Sequence, residues 1–209
     1  MNKILICSTK TASANLSYSV EMLSVPASYL NDYSDQKYFL DLCNEGCINY
    51  GRKWSCPPHA PDYRNASTNW ERIFVLYARI DLAQFDYIKN DYLKIKAANS
   101  ILKSRADKFL RQMAVKYGKC ISTGSCRLCK PCKCKTDIPC AHPDLMAYSF
   151  EAMGIDVSKI VDVYFQKPLL WYKSHCLPLY TSVVCGLLTN NPQLTVDDLY
   201  TEYEKIVMK

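Results

Sequence analysis

Between Gly124 and Pro143 the chain reads GSCRLCKPCKCKTDIPCAHP, five cysteines in twenty residues. This segment constrains the fold more than any other, because a loop so rich in thiols needs something to hold them. Disulfides, zinc, an iron–sulfur cluster and a redox-active thiol pair are the candidates. The whole chain has 12 cysteines in 209 residues. In a secreted protein an even count would suggest a disulfide framework, but that device belongs to domains too small to build a core. The N-terminal MNKILICSTK offers only a short apolar run, Ile4 to Cys7, below the ~7–15 residues of a signal-peptide core. No apolar stretch approaches the ~18–20 residues of a membrane span. The chain is therefore expected in the cytoplasm, where clustered cysteines are more often metal ligands than bridges.

Spacing separates the metals. Cys126, Cys129 and Cys132 follow C-x2-C-x2-C, and Cys140 comes eight positions later. Three thiolates at two-residue intervals on a tight loop can meet one face of a cubane, as in bacterial-type ferredoxins, whose fourth cysteine often ligates a different cluster. Zinc sites more often use two separated C-x2-C pairs, which a continuous triple fits less well; zinc stays as the alternative. A second set, Cys43, Cys47 and Cys56, lies in CNEGCINYGRKWSCPPHAP. A helix end followed by a loop punctuated by Gly and Pro can fold three thiolates onto one point. Trp54 could shield such a site from water, which tunes a cluster's potential. A zinc knot or plain buried thiols is the blander reading of this set.

The remainder reads as one α+β domain spanning residues 1–209. A hydrophobic content of 49% with 22% charged residues is ordinary for a globular chain, and with 6 glycines long flexible linkers are not expected. Strands are expected at 17–25, 72–82, 119–122 and 178–188, where β-branched and aromatic residues cluster. Helices are expected at 34–43 with Ser34 as N-cap, at 85–118, from Pro143 to Gly154, near 157–164 and at 195–208. In the long helix Ile88, Tyr92, Ile95, Leu102, Ala106, Phe109 and Met113 recur on one face, and its length leaves room for a kink near Asn99-Ser100. Residues 44–65 read as irregular loop. The expected architecture is a small mixed or antiparallel sheet packed against one long helix and shorter ones. Cysteine-rich metal-binding loops at 43–58 and 120–143 sit at one end.

Three segments, C-x3-C-x2-YG-x2-W-x-CPP (Cys43–Pro58), G-x-C-x2-C-x2-C with PC-x-HP (Gly124–Pro143) and S-x-EA-x-GI-x-V (Ser149–Val157), resemble an uncharacterised family. Its members are described as predicted metal-binding proteins, domain of unknown function 2284. The motifs occur in the family's order over roughly residues 40–160. The resemblance implies that Cys43, Cys47, Cys56, Cys126, Cys129, Cys132 and Cys140 are the metal and cofactor ligands, and says nothing about the reaction. Two complete [4Fe–4S] cubanes need eight thiolates, so one iron would need Cys120, Cys134, His59, His142 or an exogenous molecule. An iron left open can bind substrate as a Lewis acid, whereas saturated clusters carry electrons.

The other polar candidates have plain alternatives. His59 and His142 adjoin ligand cysteines but sit in Pro-rich loops, where hydrogen bonding is the ordinary role. Glu151 could donate a proton or simply be salt-bridged. Trp171 and Tyr172 line a pocket or pack. Cys176 and Cys185 are expected as small buried hydrophobes in a strand region, while Cys7 is open to either reading. The basic residues Arg127, Lys130, Lys133 and Lys135 lie among the cysteines. They compensate cluster charge or form a docking face for an acidic redox partner. With a net charge of +6 and no recognised binding motif, nucleic acid is not expected as a partner. The expected function is electron transfer, or a reductive step at an open cluster iron. A zinc-binding structural or metal-chaperone role is the alternative.

Overall fold

The segment IFVLYARI is apolar at almost every position, which suits a strand covered on both faces. In the computed structural model, which describes residues 3–208, it forms β3 (Arg72–Asp81), the middle strand of an antiparallel sheet. The sheet has five strands in the order β1-β2-β3-β5-β4. The others are β1 (Ile4–Lys10), β2 (Asn15–Pro26), β4 (Gly118–Ile121) and β5 (Tyr180–Thr189). Side chains alternate across a strand. Phe74, Leu76, Ala78 and Ile80 thus enter one core, and Ile73, Val75 and Tyr77 the other.

Two helices cover the first face. In α3 (Asp91–Tyr117) Ala98, Leu102, Ala106, Phe109, Leu110 and Met113 are buried, a stripe at helical spacing. Asn90 caps its start by accepting from the Leu93 N–H at 3.0 Å, and Gly118 follows its last turn. α5 (Val196–Val207) opens with a reciprocal Thr195–Asp198 capping box and sets Tyr203 edge-on to Phe109 at 5.0 Å between ring centroids. The second face is covered by α4 (Val157–Phe165), a 3-10 turn over Ala27–Tyr33 and the short α2 (Tyr63–Ser67). There the buried Tyr63 hydroxyl donates to the Ala27 carbonyl at 3.0 Å. α1 (Gln36–Gly46) has no buried residue and lies outside both cores. No helix among the described residues is long and apolar enough to cross a membrane.

Several elements differ from the sequence expectation. The helix expected from Pro143 to Gly154 does not form. The Ser122 N–H donates to the Tyr148 carbonyl at 2.8 Å, and Ser122 pairs with Ser149 in an isolated bridge. Backbone committed to that pairing cannot continue an i→i−4 ladder, so only a 3-10 turn over Glu151–Met153 remains. The long helix begins at Asp91 rather than 85, after a 3-10 turn over Leu82–Phe85, and is continuous through Asn99 and Ser100. Ile88 therefore precedes the helix, and Tyr92 is exposed instead of belonging to its buried stripe. α1 starts at Gln36 with Asp35, not Ser34, as its N-cap. The N-terminal apolar run is an edge strand that turns Cys7 inward and leaves Ile4 and Ile6 exposed.

Candidate metal centre

α1 delivers the first two cysteines. Cys43 lies in its last turns and Cys47 is its C-cap, with the Cys47 N–H donating to the Cys43 carbonyl at 3.1 Å. Residues four apart share a helix side, so the two thiols rise from one side of the helix end. The helix is anchored at its other end, where the Asp35 N–H donates to the Gly154 carbonyl at 2.8 Å and Ser34 pairs with Ile155. Beyond it the chain doubles back. The Gly51 N–H bonds the Pro57 carbonyl at 2.9 Å, and the Cys56 carbonyl accepts from His59 at 3.0 Å and Ala60 at 3.2 Å. This turn returns Cys56 to the neighbourhood of the helix end. Burial, eased by the Ser55 hydroxyl, pushes the Cys56 thiol up to about 11, with the neighbouring Cys47 and Cys43 adding to the rise and Lys53 opposing it. Cys43 is raised for the same first reason, then by Cys47 and Glu151. The three thiols are thus close enough to feel one another's charge. A thiol held protonated must release its proton before it can ligate a metal, so if this set holds one, uptake is expected to strengthen as pH rises.

The second loop leaves β4 and is tied directly to the first. The Cys126 N–H donates to the Ser55 hydroxyl at 2.9 Å. The Lys53 ammonium donates to the Ser125 hydroxyl at 3.0 Å and to the Cys126 carbonyl at 2.9 Å. Farther along, the Trp54 indole N–H reaches the Ile138 carbonyl at 2.9 Å, and the Cys134 thiol points at the Gly51 carbonyl at 3.6 Å. Residues 51–55 therefore brace the 125–138 loop, and the two cysteine sets are neighbours. Lys53 and Ser55 are the bracing residues of the candidate centre that sequence reasoning missed. A lysine and a serine beside a cysteine carry no pattern of their own, and their partners lie some seventy positions away.

Cys126, Cys129, Cys132 and Cys140 are all half-buried. Cys140 lies near Tyr148, whose phenol is raised first by burial and then by that thiol. Cys134 is buried under the loop, raised by burial and next by Cys132. Cys120, also buried, is pushed up to about 11 by burial, with Arg111, Asp107 and Cys126 nearby. Of the remaining cysteines, Cys7 and Cys185 belong to the core of the α3 face. Cys176 corrects the sequence expectation: it is exposed, because β5 begins only at Tyr180 and leaves it in the preceding loop. None of the twelve is paired in a disulfide among the described residues. His59 is exposed and packs edge-on to Trp54 at 4.5 Å between ring centroids; His142 is exposed and its carbonyl accepts from the Leu145 N–H. Arg127, Lys130, Lys133 and Lys135 are all exposed.

The donors match a thiophilic metal, being soft thiols in two braced loops. Among the described residues no three His, Cys, Asp or Glu side chains are set closely enough to clasp one ion. The fit is therefore one of donor type and neighbourhood. The S-x-EA-x-GI-x-V segment acts as the clamp between the loops' anchors. Ser149 pairs with Ser122 at the end of β4, while Gly154 and Ile155 hold the start of α1. A family model described as "Predicted metal-binding protein (DUF2284)" matches residues 30–182, a span that contains both cysteine sets and this clamp. No curated protein and no solved structure matches the chain.

Proposed function

The chain belongs to the DUF2284 family of predicted metal-binding proteins, and on that premise we propose that it is an iron–sulfur protein with two [4Fe–4S] clusters. Cys126, Cys129 and Cys132 hold one, Cys43, Cys47 and Cys56 hold the other, and Cys140 completes one of the two. The observation that carries this reading is the C-x2-C-x2-C run on a loop braced against the first set through Ser55 and Lys53. Such clusters supply single electrons, or a Lewis-acidic iron where one corner lacks a thiolate. The chain's own part is to set the two sites side by side and to keep Cys56 away from water. The exposed Arg127, Lys130, Lys133 and Lys135 offset cluster charge and give an acidic redox partner a surface to dock on. Zinc in a structural or chaperone role is the second reading, favoured by the all-thiol donor set, which zinc shares.

Replacing Cys140 with serine tests the ligand set. Iron per chain is expected to fall by one cluster corner, with a [3Fe–4S] signal appearing in low-temperature EPR of the oxidised protein. Unchanged iron and an unchanged spectrum would remove Cys140 from the set.

A further inference from the structure

One side of α3 borders a cavity as well as the core. Tyr92, Ile95, Asn99 and Lys103, at helical spacing, line a cavity of about 350 Å³ together with Trp171 and Tyr172. This is within the ~300–1,000 Å³ range of small-molecule sites. Its chemistry is divided. Tyr92 and Tyr172 lie 6.4 Å apart between ring centroids and, with Trp171, make one side aromatic. Asn99 and Lys103, one turn apart, make the other side polar. The Asn99 carbonyl oxygen is occupied by the Thr181 hydroxyl at 3.2 Å, so what the amide has left to offer is its NH2.

Lys103 is the unusual group. Its ammonium lies over the start of the second cysteine loop, 3.8 Å from where a side chain at Gly124 would begin. It forms no hydrogen bond and no ion pair with any described residue. The charges that face it are Arg127, Glu151 and Asp107. Glu151 and Asp107 act on it electrostatically, but neither forms an ion pair with it among the described residues. A half-buried ammonium with three unused donors, in a cavity it shares with an amide NH2 and aromatic rings, lacks acceptors rather than donors.

The cavity has a neighbour on the side of the candidate metal centre. A second cavity of about 570 Å³ reaches Cys43 and Cys47 and shares Glu151, Val157 and Trp171 with the first. We propose that the first of these adjoining cavities binds a small aromatic carboxylate, with the carboxylate on Lys103 and Asn99, the ring against Tyr92, Tyr172 and Trp171, and its Glu151 wall shared with the cavity that reaches Cys43 and Cys47. The binding stands on that first cavity alone. That its occupant is the substrate class of the metal centre rests on the iron–sulfur reading above.

The probe is 2-naphthoate, titrated into the anaerobically purified protein with tryptophan fluorescence or calorimetry as readout, beside its neutral analogue 2-naphthylmethanol. Saturable binding is expected, with naphthoate preferred over the alcohol by about tenfold or more, as a charge-assisted bond of ~1.5–3 kcal/mol gives. Lys103→Met is expected to abolish that preference and leave affinity for the alcohol within about twofold. Naphthoate bound no better than the alcohol by the unaltered protein would overturn the proposal, and so would a full preference retained in Lys103→Met. Absence of saturable binding would overturn it equally. Affinity is read without turnover, so failure here leaves the iron content untouched, and a zinc result leaves this affinity untouched.

Discussion

Gly118→Ala is expected to lower the unfolding free energy by about 3 kcal/mol, the upper part of the range for an atom forced into a filled space. A methyl group at Gly118 would sit 1.9 Å from the Leu188 carbonyl oxygen, 3.0 Å from its carbon and 3.2 Å from the Thr189 Cα. Every one of these atoms is backbone, so no side chain can swing away. Relief comes only by lifting β4 off β5, to which it is paired from Gly118↔Thr189 to Ile121↔Gly186. β4 is also the base of the second cysteine loop, so the loss of stability should bring a loss of metal. Urea unfolding with a metal assay on the same sample checks both. A midpoint equal to that of the unaltered protein would mean that β4 does not press on β5 in this way.

Gly154→Ala is expected to act on the other loop. Gly154 has φ +81°, where a Cβ costs ~1–2 kcal/mol. The added carbon would lie 2.4 Å from the Gln36 side-chain oxygen and 2.8 Å from the Gln36 Cα. The oxygen can move, but the Cα belongs to the first residue of α1. The helix must shift, and with it Cys43 and Cys47 at its far end. The prediction is a loss of about 2 kcal/mol with metal per chain falling toward half, because the proposed site on Cys126, Cys129 and Cys132 has its own support in β4. Equal loss from both sites would show that the two loops bind as one unit. Full metal retention would show that α1 does not position its thiols through Gly154.

The sequence announces elements in proportion to how local their causes are. β3 and β5 are readable because both faces are covered, which leaves long apolar runs. α3 is readable because one stripe must fit the sheet. β1 is hidden because it is an edge: Cys7 points inward, yet Ile4 and Ile6 face out, so no clean alternation marks it. The segment after Pro143 has helical composition, but Ser122 captures its backbone from outside, and no local pattern records that pairing. The candidate centre follows the same rule. The two cysteine sets are visible from spacing, and so is their attachment to the end of a helix and the end of a strand. The braces from Lys53 and Ser55 join distant parts of the chain and are visible only once it is folded. Lys103 reads in sequence as one more surface charge on a helix, and the groups that set it apart come from residues 123–124, 151 and 169–184.

The central claim is that the thiols of these loops hold iron and sulfide. Protein purified without oxygen should be brown, with broad absorbance near ~400 nm and iron and acid-labile sulfide in about equal amounts, approaching eight of each per chain for two cubanes, as expected of cysteine-ligated [4Fe–4S] clusters. A colourless protein with zinc in stoichiometric amount and no sulfide would contradict the account.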